Sequence, residues 1–425
     1  MTAFQLTALF LSVVALGGWV NARTLKLPHG VAMLLVGLVS AFGMSAVHNW
    51  APDLPGVHAA FTAVNGIDFS QTVLGYMLAF LLFAGAMQVD LSELRRRLLS
   101  VFTLATVGVG VSTVIVGLGV WLVAGWLGVG LSLPWALVFG ALISPTDPIA
   151  VLATVKRGQF SKALQAVLQG EALFNDGVGI VVFTALVAFA SGSAPEPLQA
   201  LIRVFIEAVG GLALGAVAGL IVVKAMRAID DFVVEVALSV GLAMGVFALA
   251  QAMHLSGPIA VVGAGLLVGD IPDRVAMSET TQAYLRNFWT LVDEILNALL
   301  FFLLGLQLAV LRFDLREAGV WVAATVLVLL ARYAVVLPWG SFFHLRHEER
   351  GATATLTWGG LHGALSLALA LSVPHGPQRP LILAATFVVV TFSVAVQGLT
   401  FAPLTIAIGR SEQRRNKRGA EGPIV

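Results

Sequence analysis

The sequence predicts an all-α polytopic membrane protein with about 13 transmembrane helices. Of its 425 residues, 58% are hydrophobic and only 11% are charged, whereas soluble domains carry about 25% charged residues. The mean hydropathy of +0.94 agrees with this composition. Long apolar runs recur along the chain, and most are long enough to cross a bilayer as a helix. Most side chains are therefore expected to face lipid or the protein interior.

The apolar runs define the spans in chain order. They fall near residues 3–20, 29–48, 69–88, 98–126, 133–151, 168–190, 198–226, 232–252, 255–270, 284–310, 318–343, 352–373 and 381–408. Only two residues separate the spans 232–252 and 255–270. Two spans are favoured there by the corner at Met253-His254 and by the following Ser256-Gly257-Pro258. The amphipathic stretch 155–168 is predicted to extend the sixth helix, with an interfacial helix as the alternative.

The basic residues predict the orientation in the membrane. Of the 24 Lys and Arg residues, 19 follow odd-numbered spans or lie in the tail 410–425. By the positive-inside rule, the short basic tail is cytoplasmic and the N-terminus is external in the cell (inner) membrane. The net charge of +1 gives no indication of a nucleic-acid partner, and the absence of cysteine excludes disulfides and thiolate metal sites. No cofactor is expected.

Two spans contain helix-breaking sequences near their centres. Pro145 and Pro148 flank Thr146-Asp147 in the fifth span, and each proline removes a backbone donor and clashes with the preceding turn. The twelfth span contains Gly359, Gly360 and Gly363. Interrupted helices at matching positions predict two inverted six-helix repeats. The transmembrane domain 1–409 then divides into a first repeat 1–190, a linker span 198–226 and a second repeat 232–409. The alternative for the glycines is close helix packing alone.

Acidic residues lie at membrane depth beside the first break. Asp147 lies within it, and Glu171, Asn175 and Asp176 lie on the next span. Ionised side chains at this depth are costly, so their presence indicates an ion pathway rather than links between helices. Glu171 and Asn175 are four residues apart and share a helix face, whereas Asp176 is rotated by about 140° from Glu171. Asp176 is therefore expected to face a cavity, and Glu171 another helix.

Arg332 lies deep in the eleventh span, where an acidic partner is almost obligatory. Glu171 is the preferred partner, with Asp293 and Glu294 as alternatives. Other polar residues lie nearer span ends, where they could line the entrances or cap and snorkel. They are Glu207, Glu235, Asp293, Glu294 and Asn297.

Seven strings resemble the monovalent cation/proton antiporter family, in the branch of NhaP-type and animal sodium/proton exchangers. They are Phe80–Gly85 with Asp90, Ser144–Pro148, Gly170–Gly177, Leu255–Ala260, Phe301–Gly305, Ala331-Arg332 and Trp358–Leu361. The resemblance implies a homodimer with an elevator-like core. It also implies exchange of a monovalent cation for H⁺, with Na⁺ as the first choice and Li⁺ as the second.

The resemblance further implies a role for each site residue. Asp176 is the carboxylate that binds the ion and carries the proton, and Thr146 and Asp147 lie beside it, so that Asp176 and Thr146 hold Na⁺. Asn175 orients the site, and Glu171 pairs with Arg332. This chain departs from many members at two positions, with Ala172 in place of serine and His362 in place of arginine.

Competition between a cation and a proton for Asp176 would couple their transport. Burial favours the protonated carboxyl group, and a nearby cation favours the carboxylate. Because the amide of Asn175 carries no titrating proton, one cation is expected to exchange for one proton. The alternatives are a K⁺/H⁺ antiporter of the same fold and, in a different class, a cation channel. An intramembrane enzyme is not expected, since the sequence contains no His-Glu-x-x-His zinc motif.

Overall fold

A computed structural model of the chain describes residues 2–50, 69–147, 162–193, 197–270, 279–308, 314–342 and 352–407. These residues are almost entirely helical, and those ranges contain no β-strand. The predicted all-α class is confirmed. Pro148, residues 155–161 and the tail 410–425 lie outside the described residues, whereas residues 162–168 form the start of a long helix, as the predicted extension of the sixth span requires.

Helices are present in each of the thirteen predicted spans. They are α1 (Ala3–Val20), α2 (His29–Trp50), α3 (Leu78–Met87), α4 (Val109–Trp126), α5 (Leu133–Ile143), α6 (Lys162–Ala190), α7 (Pro197–Met226), α8 (Phe232–Ala252), α9 (Gly257–Gly269), α10 (Glu279–Leu308), α11 (Ala318–Phe342), α12a (Ala352–Trp358) with α12b (Ala364–Ser372), and α13 (Arg379–Phe392). Wider π-helical turns adjoin four of them, at Asn21–Leu25, Gln71–Met77, Leu104–Gly108 and Ser393–Gln397. Short helices lie at Leu91–Arg96, Leu98–Thr103 and Leu315–Glu317, and residues 398–407 continue the last span as a helix.

Nine of the described helical segments are long and apolar enough to cross a membrane. Three shorter apolar helices, α3, α5 and α9, occupy three more predicted positions, and the interrupted pair α12a and α12b occupies the last. A polytopic membrane protein is therefore confirmed. The relation of the two halves by an inverted repeat stays a prediction.

Local chemistry explains the closely spaced division between α8 and α9. Helix α8 ends at Ala252, and His254 adopts the left-handed conformation, with φ of 55°. The hydroxyl group of Ser256 then accepts a hydrogen bond from the backbone N–H of Ile259, which caps α9. The predicted break at this corner is confirmed.

Buried apolar side chains form two clusters that meet along α6 and α10. One cluster contains Phe183 of α6 and residues from Ala298 to Leu306 of α10. The other contains Phe174 of α6 and Trp289 of α10. The polar residues of both helices between these positions therefore lie where the two clusters meet, and the candidate site is located there.

Candidate ion-binding site

The two broken segments pack directly against each other. Helix α5 ends at Ile143, and residues 144–147 continue without helical structure. The backbone N–H of Asp147 donates to the carbonyl oxygen of Leu361, at 2.7 Å, in an antiparallel bridge between the two breaks. Beside it, Nδ1 of His362 lies 3.1 Å from the carbonyl oxygen of Pro145 and donates to it, since a carbonyl oxygen only accepts. Backbone groups that lost their helical partners thus bond across the crossing.

Two glycines of the second break make room for charged side chains. A Cβ atom on Gly363 would overlap the carboxylate of Asp147. A Cβ atom on Gly360 would lie 2.5 Å from Nε of Arg332. These glycines therefore admit the side chains of Asp147 and Arg332, which goes beyond the close helix packing considered as the alternative.

Arg332 and Glu171 form a buried, bidentate ion pair. Nη1 contacts Oε1, Nη2 lies 2.9 Å from Oε2, and only 2% of Glu171 and 7% of Arg332 is exposed. Nε of Arg332 donates to the carbonyl oxygen of Leu356 in α12a, at 3.0 Å. Of the two alternative partners, Asp293 accepts hydrogen bonds from neutral amides and Glu294 is exposed. The pair therefore joins α6 to α11 and, through Leu356, to α12a.

Asn175 is also buried on this side of α6. Its Nδ2 donates to Oγ1 of Thr146, at 2.9 Å. Its Oδ1 is buried and has no hydrogen-bond partner among the described residues. Both residues line a small cavity of about 10 Å³, together with Glu171, Arg332 and others. That volume is near the minimum for one water molecule, which could satisfy the amide oxygen.

Asp176 and Asp147 line a second, larger cavity. It has a volume of about 100 Å³, room for several water molecules or a hydrated cation. Most of the other lining residues are apolar, and Ala172 contributes a methyl group rather than an oxygen ligand. The one-residue step from Asn175 to Asp176 moves the side chain from the small cavity to the large one, as the helical rotation predicts.

Thr146 lies apart from the residue with which it was predicted to bind Na⁺. Its hydroxyl group accepts a hydrogen bond from Asn175 and lines the small cavity, whereas Asp176 lines the large one. The physical reason is that the helix has ended at the break and Asp147 forms a β-bridge with Leu361, and successive side chains point in opposite directions in strand-like backbone. Asp147 and Thr146 therefore face different cavities. The structure brings Asp147 together with Asp176, and Thr146 together with Asn175 and Glu171.

Comparison with known proteins agrees with the motifs. Residues 11–407 match the profile of the family described as "Sodium/hydrogen exchanger, transmembrane". The chain belongs to this family of sodium/hydrogen exchangers. The Na⁺/H⁺ antiporter NhaP of Pseudomonas aeruginosa is 39% identical, over 98% of this chain and 99% of that protein. The Na⁺/H⁺ antiporter NhaH of Halobacillus dabanensis is 36% identical, over 95% and 96% respectively. The family resemblance drawn from the motifs is confirmed.

A solved structure supports the fold. The sodium proton antiporter MjNhaP1 from Methanocaldococcus jannaschii matches with a TM-score of 0.72 and 19% sequence identity. The match covers 96% of this chain and 100% of that chain. At this identity the likeness concerns the fold, which extends over nearly the whole exchanger.

Four further polar residues line the large cavity and were not predicted to bind the ion in this exchanger: Gln88, Gln169, Asp293 and Asn297. Asp293 and Asn297 of α10 line the cavity beside Asp176, and so does Gln88, which follows α3. Asp293 and Asn297 were expected near a span end, as entrance or capping residues. Their four-residue spacing places both on one helix face, and the contact of that face with α3 brings them into the cavity.

Proposed function

We propose that this protein exchanges Na⁺ for H⁺ across the membrane by secondary active transport. The observation that carries the proposal is the shared cavity of Asp147 and Asp176, located where two broken segments cross. Its carboxylate oxygens suit a hard alkali cation, which prefers oxygen ligands. The relatives named Na⁺/H⁺ antiporters, similar over almost the whole chain, support the same ion pair.

The proposed coupling rests on one carboxylate. Asp176 binds either a proton or Na⁺, because a bound cation stabilises the carboxylate and displaces the proton. Asp147 beside it supplies a second negative charge that favours cation binding. The pair of Glu171 and Arg332 holds α6 in place and carries no net charge. Asn175 and Thr146 fix each other on the opposite side of α6 and so orient Asp176.

The direct test is Asp176→Asn, which keeps the shape and removes the titrating carboxylate. In proteoliposomes containing a pH-sensitive dye, the wild-type protein is expected to move protons when Na⁺ is added, with Li⁺ and K⁺ added in turn for comparison. The variant is expected to remain folded by size-exclusion chromatography and to show no cation-driven proton movement. Wild-type rates in this variant would contradict the assignment of Asp176.

Exchange is proposed to be electroneutral, with one Na⁺ for one H⁺. In proteoliposomes, valinomycin and K⁺ set the membrane potential while Na⁺ is the test ion. A potential of 100 mV is worth about 2.3 kcal/mol for each net charge moved per cycle, enough to change an electrogenic rate strongly. The expected rate is independent of potential. A steep dependence would contradict the one-for-one scheme and indicate a second proton carrier.

The proposed assembly is a homodimer in the inner membrane that moves its core by an elevator motion. The N-terminus is proposed to be external and the tail 410–425 cytoplasmic, as the distribution of Lys and Arg indicates. Because the chain has no cysteine, a single cysteine introduced at Thr2 reports orientation cleanly. An impermeant maleimide is expected to label it from outside the cell. Labelling only after membrane disruption would contradict this orientation.

A further inference from the structure

A third carboxylate, Asp293 of α10, lies in the large cavity with Asp147 and Asp176. Nδ2 of Asn297 donates to its Oδ1 at 2.8 Å, and Nε2 of Gln88 lies 3.3 Å from its Oδ2. Both donors are neutral amides. They orient the carboxylate through two hydrogen bonds.

The described residues that line the cavity include no Lys, Arg or His beside these acids. Arg332 faces the small cavity and is held by Glu171. In a confined space with apolar walls, carboxylates of one sign raise the local concentration of cations. Asp293 therefore adds a third carboxylate to the cavity, and its charge favours cations there.

Asn297 supplies a buried amide oxygen to the same cavity. The residue is 4% exposed and lines the cavity, and its Oδ1 is buried without a hydrogen-bond partner among the described residues. The amide nitrogen is already engaged by Asp293, so the amide oxygen remains available on the same group. Buried polar atoms of proteins are nearly always satisfied, by protein, water or an ion. A carboxylate with an adjacent amide oxygen is a ligand set suited to a hard cation.

We propose that Asp293 and Asn297 form a second site for a monovalent cation, occupied by Na⁺ on its way to Asp176. This inference rests on the proposed exchange function and adds a separate binding step to it. The site raises the occupancy of Asp176 at low Na⁺ concentration. It does not carry the proton, so the stoichiometry of exchange is unchanged.

The experiment compares Asp293→Asn with the matched control Glu294→Gln, the neighbouring acid, which is exposed. Na⁺-dependent proton movement in proteoliposomes gives KM and the maximal rate separately. We expect Asp293→Asn to raise the KM for Na⁺ on the order of tenfold and to leave the maximal rate unchanged. Glu294→Gln is expected to match the wild type. Asp293→Glu, which keeps the charge, is expected to restore most of the affinity.

Each outcome decides one point. An unchanged KM in Asp293→Asn overturns the second site while exchange through Asp176 stands. Equal increases of KM in Asp293→Asn and Asp293→Glu also overturn it, because packing rather than charge would then be responsible. A maximal rate that collapses at saturating Na⁺ assigns Asp293 to proton transfer or folding and overturns it as well. If the wild-type protein shows no Na⁺-driven proton movement, the proposed function itself fails.

Discussion

Removing Arg332 is expected to destabilise the protein more than almost any other single substitution. In Arg332→Ala, the carboxylate of Glu171 stays buried at 2% exposure and loses both of its guanidinium contacts. Breaking a buried pair in this way costs about 3–5 kcal/mol. The carbonyl oxygen of Leu356 also loses its donor at 3.0 Å, which adds about 1 kcal/mol. The free energy of unfolding should therefore fall by roughly 4–6 kcal/mol.

The double variant, in which both Glu171 and Arg332 are alanine, separates the interaction energy of the pair from the other contacts of each residue. Glu171→Ala leaves a guanidinium group that is 7% exposed and still bonded to Leu356, so its cost should also be about 3–5 kcal/mol. Removing both partners leaves no unpaired charge, so the double variant should lose far less than the sum of the single losses. SDS titration followed by the fluorescence of the nine tryptophans measures these differences.

A surface pair provides the control. Nε of Arg203 lies 3.7 Å from Glu207 one helical turn away, and its side chain is 72% exposed. Arg203→Ala should change the free energy of unfolding by no more than about 0.5 kcal/mol. Losses that add to within about 0.5 kcal/mol in the cycle of Glu171 and Arg332 would refute the reasoning. The two residues would then be close in space without depending on each other.

Two further predictions test the crossing and an isolated acid. Gly363→Ala places a methyl group on the carboxylate of Asp147 and should greatly slow Na⁺-driven proton movement in proteoliposomes. The control is Gly376→Ala, whose Cβ meets no atom within 4 Å and which should keep the wild-type rate. Equal rates in the two variants would contradict the close contact between Gly363 and Asp147. Glu235 of α8 is fully buried and neither carboxylate oxygen has a hydrogen-bond partner among the described residues. Glu235→Met should therefore raise the free energy of unfolding by about 1–3 kcal/mol in the same SDS titration; a loss of stability would indicate a stabilising role for the acid.

The breaks in the helices could be predicted because they depend on local chemistry. Pro145 prevents α5 from continuing because it lacks a backbone donor. Gly359, Gly360 and Gly363 weaken the helix between α12a and α12b. Neither effect depends on tertiary contacts. Helical rotation likewise predicts that the side chains of Glu171 and Asp176 point in different directions, and this prediction needs no tertiary contact. These features depend on residues that are near in sequence, so a single sequence is enough to predict them.

Contacts between elements that are distant in sequence could not be predicted in this way. The sequence requires an acid for Arg332 but leaves three candidates, and only the tertiary positions of α6 and α11 select Glu171. The place of Asp293 depends in the same way on how α10 meets α3. Thr146 is different, because alternation along an extended segment was available from the sequence. That rule would have placed its hydroxyl group opposite Asp147.

The two cavities differ in charge, and this difference explains why one set of polar residues can stabilise the fold while another is proposed to transport ions. In the small cavity Glu171 and Arg332 neutralise each other, so that side of α6 needs no ion. The large cavity is lined by three acids, Asp147, Asp176 and Asp293, and the described lining residues include no basic side chain. A single helix thus presents one partner of a neutral ion pair on one face and Asp176, the proposed proton carrier, on the other. Replacing one Na⁺ by one H⁺ at Asp176 keeps the charge of the large cavity constant, and this constancy is what the proposed electroneutral exchange requires.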